Sequence, residues 1–465
     1  MSTKKAKLNL DFGHGGVSMN FAMENEIQPR DGLESDWSVG TLSFNSEEFE
    51  DFPGNSHERV DENRIKAIAD SIEKTISEWQ KEHGFDFDSL MEVTISAHFY
   101  DVLFFPYSPE FSKFKDITES DIKKIDERRQ SYKVSQIVGE NLKSLTSPYY
   151  NILDEKSLTA RVSNPLGKRA KSLGFDTYFI TNHPMLLRLL EVMKEDGETI
   201  KVSLSCEREF RALANKKEKE SKTALVHITD SLSEFSVWEK SELKYLNKKE
   251  TGLRELREML WRLCLCYHKN PKLAERDFEL RQNAEQMQKF YDMVKKAEVS
   301  DDSKELLSAD DCLDLLESAS CILESESWEN FEYDRLGLPG KSNAKNKMTI
   351  SNYVLCYFVR EVIRNLLLEI KKTMYNDDFC KPECMVLECP LPLKGIESLA
   401  SEVFEIPVRR AYARWDGETR GDLSSSGIGA LQSLISGEED DKNAFEDRKK
   451  TAKLLWWRFL TRVSS

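Results

Sequence analysis

The strongest constraint on what this chain can fold into is an internal repeat. The stretch "LNLDFGHGGVSMNFAMENEIQ" at Leu8 can be laid over "LVHITDSLSEFSVWEKSELKY" at Leu225, 217 residues on, and a slip to 216 brings the apolar alternation into phase. At 216, Leu10 falls on Val226, Phe12 on Ile228, Met19 on Phe235, Phe21 on Val237 and Ile27 on Leu243. Each copy reads as strand, polar turn, alternating strand, charged turn, strand, since period-two alternation is how a half-buried strand presents one face. A duplicated three-strand unit at the head of each half predicts two related α/β halves facing one another.

A helix follows each meander. Between Asp61 and His83 the residues Ile65, Ile68, Ala69, Ile72, Ile76 and Trp79 share one stripe; in the second half Leu253, Leu256, Met259, Leu260 and Leu263 do the same. Between Asp86 and Leu158 an inserted module is expected. It holds a strand in "LMEVTISAHFYDVLFF", then a helix in "DITESDIKKIDERRQ" with Thr118 as its cap and Asp121 at the third position. A helical stretch fills 252–331, broken near Lys296 to Ser303. The expected organisation is therefore a first lobe from 1–85 and 159–220, an inserted α/β subdomain at 86–158, a second lobe from 221–252 and 351–436, and a helical subdomain at 253–350. An acidic linker at 437–447 and an amphipathic helix at 448–465 follow.

Composition narrows the class. The chain of 465 residues is 39% hydrophobic, and no window approaches the roughly 20 uncharged apolar residues of a spanning helix. No apolar segment follows Met1, so a cytoplasmic location is expected. Nine cysteines scattered through apolar segments suit a reducing compartment, and Cys380, Cys384 and Cys389 lack the paired spacing of a zinc site. A net charge of −15 argues against nucleic acid as a partner of the body, because phosphates would repel it.

The tail is the exception. Residues 448–465 carry six basic side chains and no acid, after a linker "GEEDDKNAFED" with six acids against one lysine. Ala452, Leu455, Trp456, Phe459, Leu460 and Val463 recur on one helical face, with Lys449, Lys453 and Arg462 beside or opposite it. A helix packing on its own acidic body has no need of all-basic charge. An interfacial helix does, since it buries its apolar face in the headgroup layer and sets its cations on anionic lipid. The predicted membrane-binding residues are Lys449, Lys453, Leu455, Trp456, Phe459, Leu460, Arg462 and Val463.

With these elements in order, the chain resembles FtsA, the actin-like bacterial cell-division family, over nearly its whole length. "LDFGHG" resembles that family's first phosphate loop, "ITESD" the start of its inserted subdomain's helix, and "NPLGKRAKSLGFDTYFIT" the Asn164-Pro165-Leu166-Gly167 segment leading back from it. "TALVHITDSLSEFSVWEKSELKYL" stands where the second phosphate loop belongs, and "CMVLECPLPLKGIESLASEVFEIPVRRAYA" resembles the adenosine-loop region. The resemblance implies a two-lobed actin-like (ribonuclease H-like) fold with an inserted small α/β subdomain and a C-terminal amphipathic helix. It also implies recruitment of FtsZ filaments, through their C-terminal tail, to the inner face of the cell membrane. Other divisome proteins would be partners, and self-association into filaments would follow the family.

The departures bear on chemistry. A phosphate loop works because glycines let backbone N–H groups approach the anion while an aspartate holds the metal or its waters. The first loop keeps Asp11 and Gly13, with His14 beside them. Where the family has an aspartate and consecutive glycines, this chain has His227-Ile228-Thr229-Asp230-Ser231-Leu232; where it has a Gly-Gly pair, this chain has Glu388-Cys389-Pro390. Asp11 is either a relic metal or phosphate position or a polar residue at a strand end. Relic nucleotide contacts are assigned to Asp11, Gly13, His14, Asp230 and Ser231, with ATP and magnesium possible but not favoured, and no catalytic or metal-ligating set is defined by spacing. The reading is an FtsA-like membrane tether with a degenerate ATPase site. A PilM-like actin-fold adaptor in pilus or secretion assembly, or an actin-like ATPase, is the alternative.

Overall fold

The computed structural model describes residues 4–13, 16–24, 37–42, 61–131, 141–195, 199–270, 272–298, 315–316, 319–323, 335–338, 348–375, 381–391, 393–412, 414–415, 418–419 and 424–436. The chain divides into two units, residues 1–214 with 412–465, and residues 215–411.

In the first unit β1 (Lys4–Gly13), β2 (Gly16–Glu24) and β3 (Trp37–Leu42) form an antiparallel meander. The helix α1 (Glu62–His83) starts where the Asp61 carboxylate accepts from the amides of Asn63 and Arg64 at 3.0 and 3.2 Å. It stops at Gly84, whose φ of 67° is left-handed and cheap only for glycine. Ile65, Ile68, Ala69 and Ile72 of its predicted stripe are buried. Next, β4 (Phe85–Ile95) runs parallel to β1, so β1 is flanked on both edges. With both its faces covered as well, Asn9 and Asp11 are as buried as Leu8, Leu10 and Phe12.

The chain then turns at residues 96–99, where the Ser96 amide donates to Phe12 O at 2.8 Å and that of Phe99 to Ser96 O at 2.9 Å. It builds a second sheet from β5 (Tyr100–Tyr107), β6 (Glu110–Asp116), β7 (Asn141–Asp154), β8 (Thr159–Val162) and β9 (Arg169–Asn182), with α2 (Glu119–Ser131) against it. Ile117, Ile125, Tyr150, Ile152, Leu173 and Phe175 form its core. Thr118 and Asp121 cap α2 reciprocally as the sequence predicts: the Thr118 amide donates to Asp121 Oδ2 at 3.0 Å and the Asp121 amide to Thr118 Oγ1 at 3.4 Å. The sheet differs from the expected 86–158 module at both ends. Phe85–Ile95 belongs to the first sheet because it pairs with β1, and the return strand β9 belongs to the insert because it pairs with β5 and β7. The run read as one strand, "LMEVTISAHFYDVLFF", thus serves two sheets. The first sheet is completed by α3 (Pro184–Glu195), β10 (Thr199–Leu204) and α4 (Ser205–Leu213), in the order β10-β4-β1-β2-β3.

The second unit repeats the plan. After α5 (Lys216–Glu220), the strands β11 (Lys222–Ile228), β12 (Ser233–Glu239) and β13 (Glu242–Lys249) make the meander. The helices α6 (Arg254–Lys269), α7 (Leu273–Gln282) and α8 (Ala284–Lys295) follow, then a two-stranded ladder of β14 (Arg335–Leu338) and β15 (Met348–Ser351) and the long α9 (Asn352–Tyr375). The expected helical run already breaks at Asn270 and Asn283, and the Asn283 side chain accepts from the Gln286 amide at 3.1 Å to start α8. β16 (Cys384–Glu388), α10 (Ile396–Phe404) and β17 (Val408–Arg410) finish a sheet ordered β13-β12-β11-β16-β17.

The two sheets are duplicates. In each, the first three strands are an antiparallel meander, and the fourth and fifth lie parallel to the first on its other side. The register repeats at the offset read from sequence: Leu10 pairs with Met19 and Asp11 with Ser18, and 216 residues later Val226 pairs with Phe235 and His227 with Glu234. This duplicated order is the actin-like, ribonuclease H-like α/β fold.

From residue 412 the chain rejoins the first unit, as the short ladder β18 (Arg414–Trp415) with β19 (Glu418–Thr419) and the helix α11 (Ser425–Ser436). The sequence pattern places 351–436 together in the second lobe. The structure differs because α11 buries Ile428, Ala430, Leu431 and Leu434 while packing on α4 and β1. Gly429 makes this approach possible, since a Cβ there would run into the Arg208 backbone carbonyl. Among the described residues no helix is long and apolar enough to cross a membrane.

Candidate functional site

In the first unit the predicted phosphate-loop residue Asp11 is 1% exposed, and its carboxylate is ringed by hydroxyls. Thr94 on β4 donates to Oδ1, while Ser424 and Ser426 donate to Oδ2, Ser426 at 2.9 Å. Ser424 also accepts from the Gly427 amide at 3.0 Å, so it caps α11 and holds Asp11 at once. The network continues into the sheet. Asn9 Nδ2 donates to Glu92 O at 3.0 Å and to Thr94 Oγ1 at 3.3 Å, and Asn20 Nδ2 donates to Asn9 Oδ1 at 3.0 Å. Burial pushes the Asp11 carboxyl above its usual range; the bonds from Ser424, Thr94 and Ser426 pull it down, Glu209 pushes it up again, and the net direction is up.

Gly13 acquires a local explanation. A Cβ at that position would stand 2.9 Å from Asp11 Oδ2, so the glycine leaves room for the aspartate's own carboxylate. His14 lies outside the described residues.

In the second unit the Gly-free second loop closes on itself. The Thr229 amide and Oγ1 donate to Leu232 O at 2.9 and 2.8 Å, and the Leu232 amide returns a bond to Thr229 Oγ1 at 3.2 Å. The first amides of the following helix are also committed: Leu253 N donates to Thr229 O at 2.9 Å and Arg254 N to Asp230 O at 2.7 Å. Gly252 permits this, because a Cβ there would collide with both of those carbonyls. The half-exposed Asp230 carboxylate pairs with Arg257 at 2.8 Å and lies 3.7 Å from Arg254. At the third segment, Arg410 donates to the carbonyls of Cys389 at 3.0 Å, Leu391 and Leu393. Burial pushes the Cys389 thiol up, away from the reactive thiolate.

These residues do not fit a magnesium–nucleotide group. Each loop commits to the protein itself groups that a nucleotide's phosphates and their magnesium would need. Asp11 is satisfied by three hydroxyls, the amides and hydroxyl of the second loop by its own turn, and the carbonyls of the third by Arg410. Of the sequence-assigned contacts, the first unit holds Asp11 and Gly13 together, and the second holds Asp230 and Ser231. The residues that complete the Asp11 cluster, Thr94, Ser424 and Ser426, were missed. The available signal was "SSSGIGALQSL", serines ahead of an apolar helix, which is a capping signature. Lys449, Lys453, Leu455, Trp456, Phe459, Leu460, Arg462 and Val463 lie outside the described residues.

No protein-family model matches this sequence. No curated protein matches it either. Solved structures do. The PilM–PilN type IV pilus biogenesis complex matches at 9% identity with a TM-score of 0.41, over 93% of this chain and 99% of that one. The MamK double helical filament matches at 8% and 0.42, over 94% and 100%. MreB5 of Spiroplasma citri bound to ADP matches at 8% and 0.37, over 94% and 97%. Likenesses this distant carry no residue roles, and the fold assignment stands on the duplicated strand order.

Proposed function

We propose that this chain is an actin-fold adaptor of the PilM kind, holding a partner protein in a membrane-associated assembly without hydrolysing ATP. The observation that carries the reading is the Asp11 cluster, in which the residue an ATPase would use for its metal is buried and satisfied by Thr94, Ser424 and Ser426. A carboxylate committed in this way serves to dock α11 on the sheet. Calorimetry with ATP and magnesium tests it: no heat of binding and no turnover are expected. Micromolar affinity, or turnover abolished by Asp11→Ala, refutes it.

A second reading, an FtsA-like tether of FtsZ filaments, is favoured by one sequence observation, the basic amphipathic segment 448–465 after its acidic linker. Co-sedimentation with anionic liposomes, with and without a peptide of the FtsZ C-terminal tail, separates the two. Recruitment of that peptide to vesicles by this chain supports the tether. Vesicle binding without recruitment leaves the adaptor with a different cargo.

A further inference from the structure

The repeat places a second polar row where Asp11 has its hydroxyls. In the first unit the row across β2, β1 and β4 is Ser18–Asp11–Thr94; in the second, across β12, β11 and β16, it is Glu234–His227–Glu388. Residues in register on neighbouring strands point to the same face, so an imidazole stands between two carboxylates. The row lies at the C-terminal ends of the parallel strands β11 and β16, the edge at which open α/β sheets place their ligands. Glu234 is buried; His227 and Glu388 each keep 14% of their side-chain surface exposed, while the facing atoms, Nδ1 of His227 and Oε2 of Glu388, are themselves buried, so an ion held between them would be shielded from solvent.

We propose that this row binds a divalent transition-metal ion, zinc by its ligand chemistry, through Nδ1 of His227 and the carboxylate of Glu388. These two atoms lie 3.2 Å apart. Ligands each about 2.0–2.1 Å from a tetrahedral zinc stand about 3.3 Å from one another, so the bite is already formed. The imidazole selects zinc over magnesium or calcium, which prefer all-oxygen shells. Glu234, on the other side of His227, adds a second negative charge that favours a dication over a monovalent ion. The site needs no nucleotide and is independent of the adaptor reading.

Titration of the full chain with zinc, and with cobalt as a spectroscopic probe, tests it. One equivalent should bind, with cobalt d–d bands of nitrogen and oxygen ligation. His227→Gln and Glu388→Gln should each weaken binding at least about tenfold while Asp11→Asn leaves it unchanged. Zinc should also protect His227 of the wild-type chain from diethyl pyrocarbonate, a measurement that needs no variant to fold. Binding that survives both substitutions, a thiolate charge-transfer band that marks cysteine ligands, or unchanged modification of His227 overturns the proposal.

Discussion

Replacing Asp11 with asparagine should abolish a pH dependence that the wild-type chain carries. The Asp11 carboxyl is held above its ordinary value of 3.8 chiefly by burial, so between that value and the folded one the native state binds a proton that the unfolded state has lost. Stability then falls as pH rises, by up to about 1.4 kcal/mol per pH unit, until the folded carboxyl ionises and the loss levels off. Asparagine has no such charge, and its amide can stay bonded because the hydroxyls of Thr94, Ser424 and Ser426 can turn from donor to acceptor. Acids elsewhere contribute equally to both proteins and cancel in the difference. Hydrogen exchange of β1 and α11 peptides, followed by mass spectrometry from about pH 4 upward and corrected for intrinsic exchange, reads the opening free energy of this unit. The variant's advantage over wild type should climb with pH and then plateau. A flat difference, or one favouring wild type as pH rises, would mean that the folded carboxyl is not held above its ordinary value, and the reasoning from its burial would fail.

Gly429→Ala should cost about 1–3 kcal/mol or more and expose α11 to proteolysis, because its Cβ meets the Arg208 backbone carbonyl, which cannot yield; wild-type protease resistance would refute the packing. Glu218, raised by burial but lowered more by its two bonds from Arg409, has a net pKa below its ordinary 4.5, so its contribution is full above that value and disappears as pH falls through the lowered one. Arg409→Gln should accordingly cost about 1 kcal/mol near neutrality and progressively less in acid, as measured by urea unfolding across pH. For the tail, Trp456→Glu with Phe459→Glu should release the chain from anionic vesicles at an unchanged melting temperature, and raised salt should weaken wild-type binding; a variant that unfolds would place the helix in the core.

By itself the sequence determined what is local or periodic. The 216-residue offset was legible because strand alternation survives divergence, and it reappears as an identical register in β1–β2 and β11–β12. The cap at Thr118 was legible because it acts within one turn of its own helix. The erosion of the second and third loops could be read from missing glycines alone. Contacts between segments far apart in the chain were settled by packing alone. The break between β4 and β5 depends on which strands are available to pair, a property of the sheet rather than of "TISAHFYD". α11 joins the first unit because glycines at 427 and 429 let it approach α4 and β2, and no local pattern says which surface a helix will meet. Asp11 illustrates the limit most sharply. Its chemistry depends on Ser424 and Ser426, more than 400 residues away, and a residue type at a strand end cannot say whether its charge faces a ligand or three hydroxyls of its own chain.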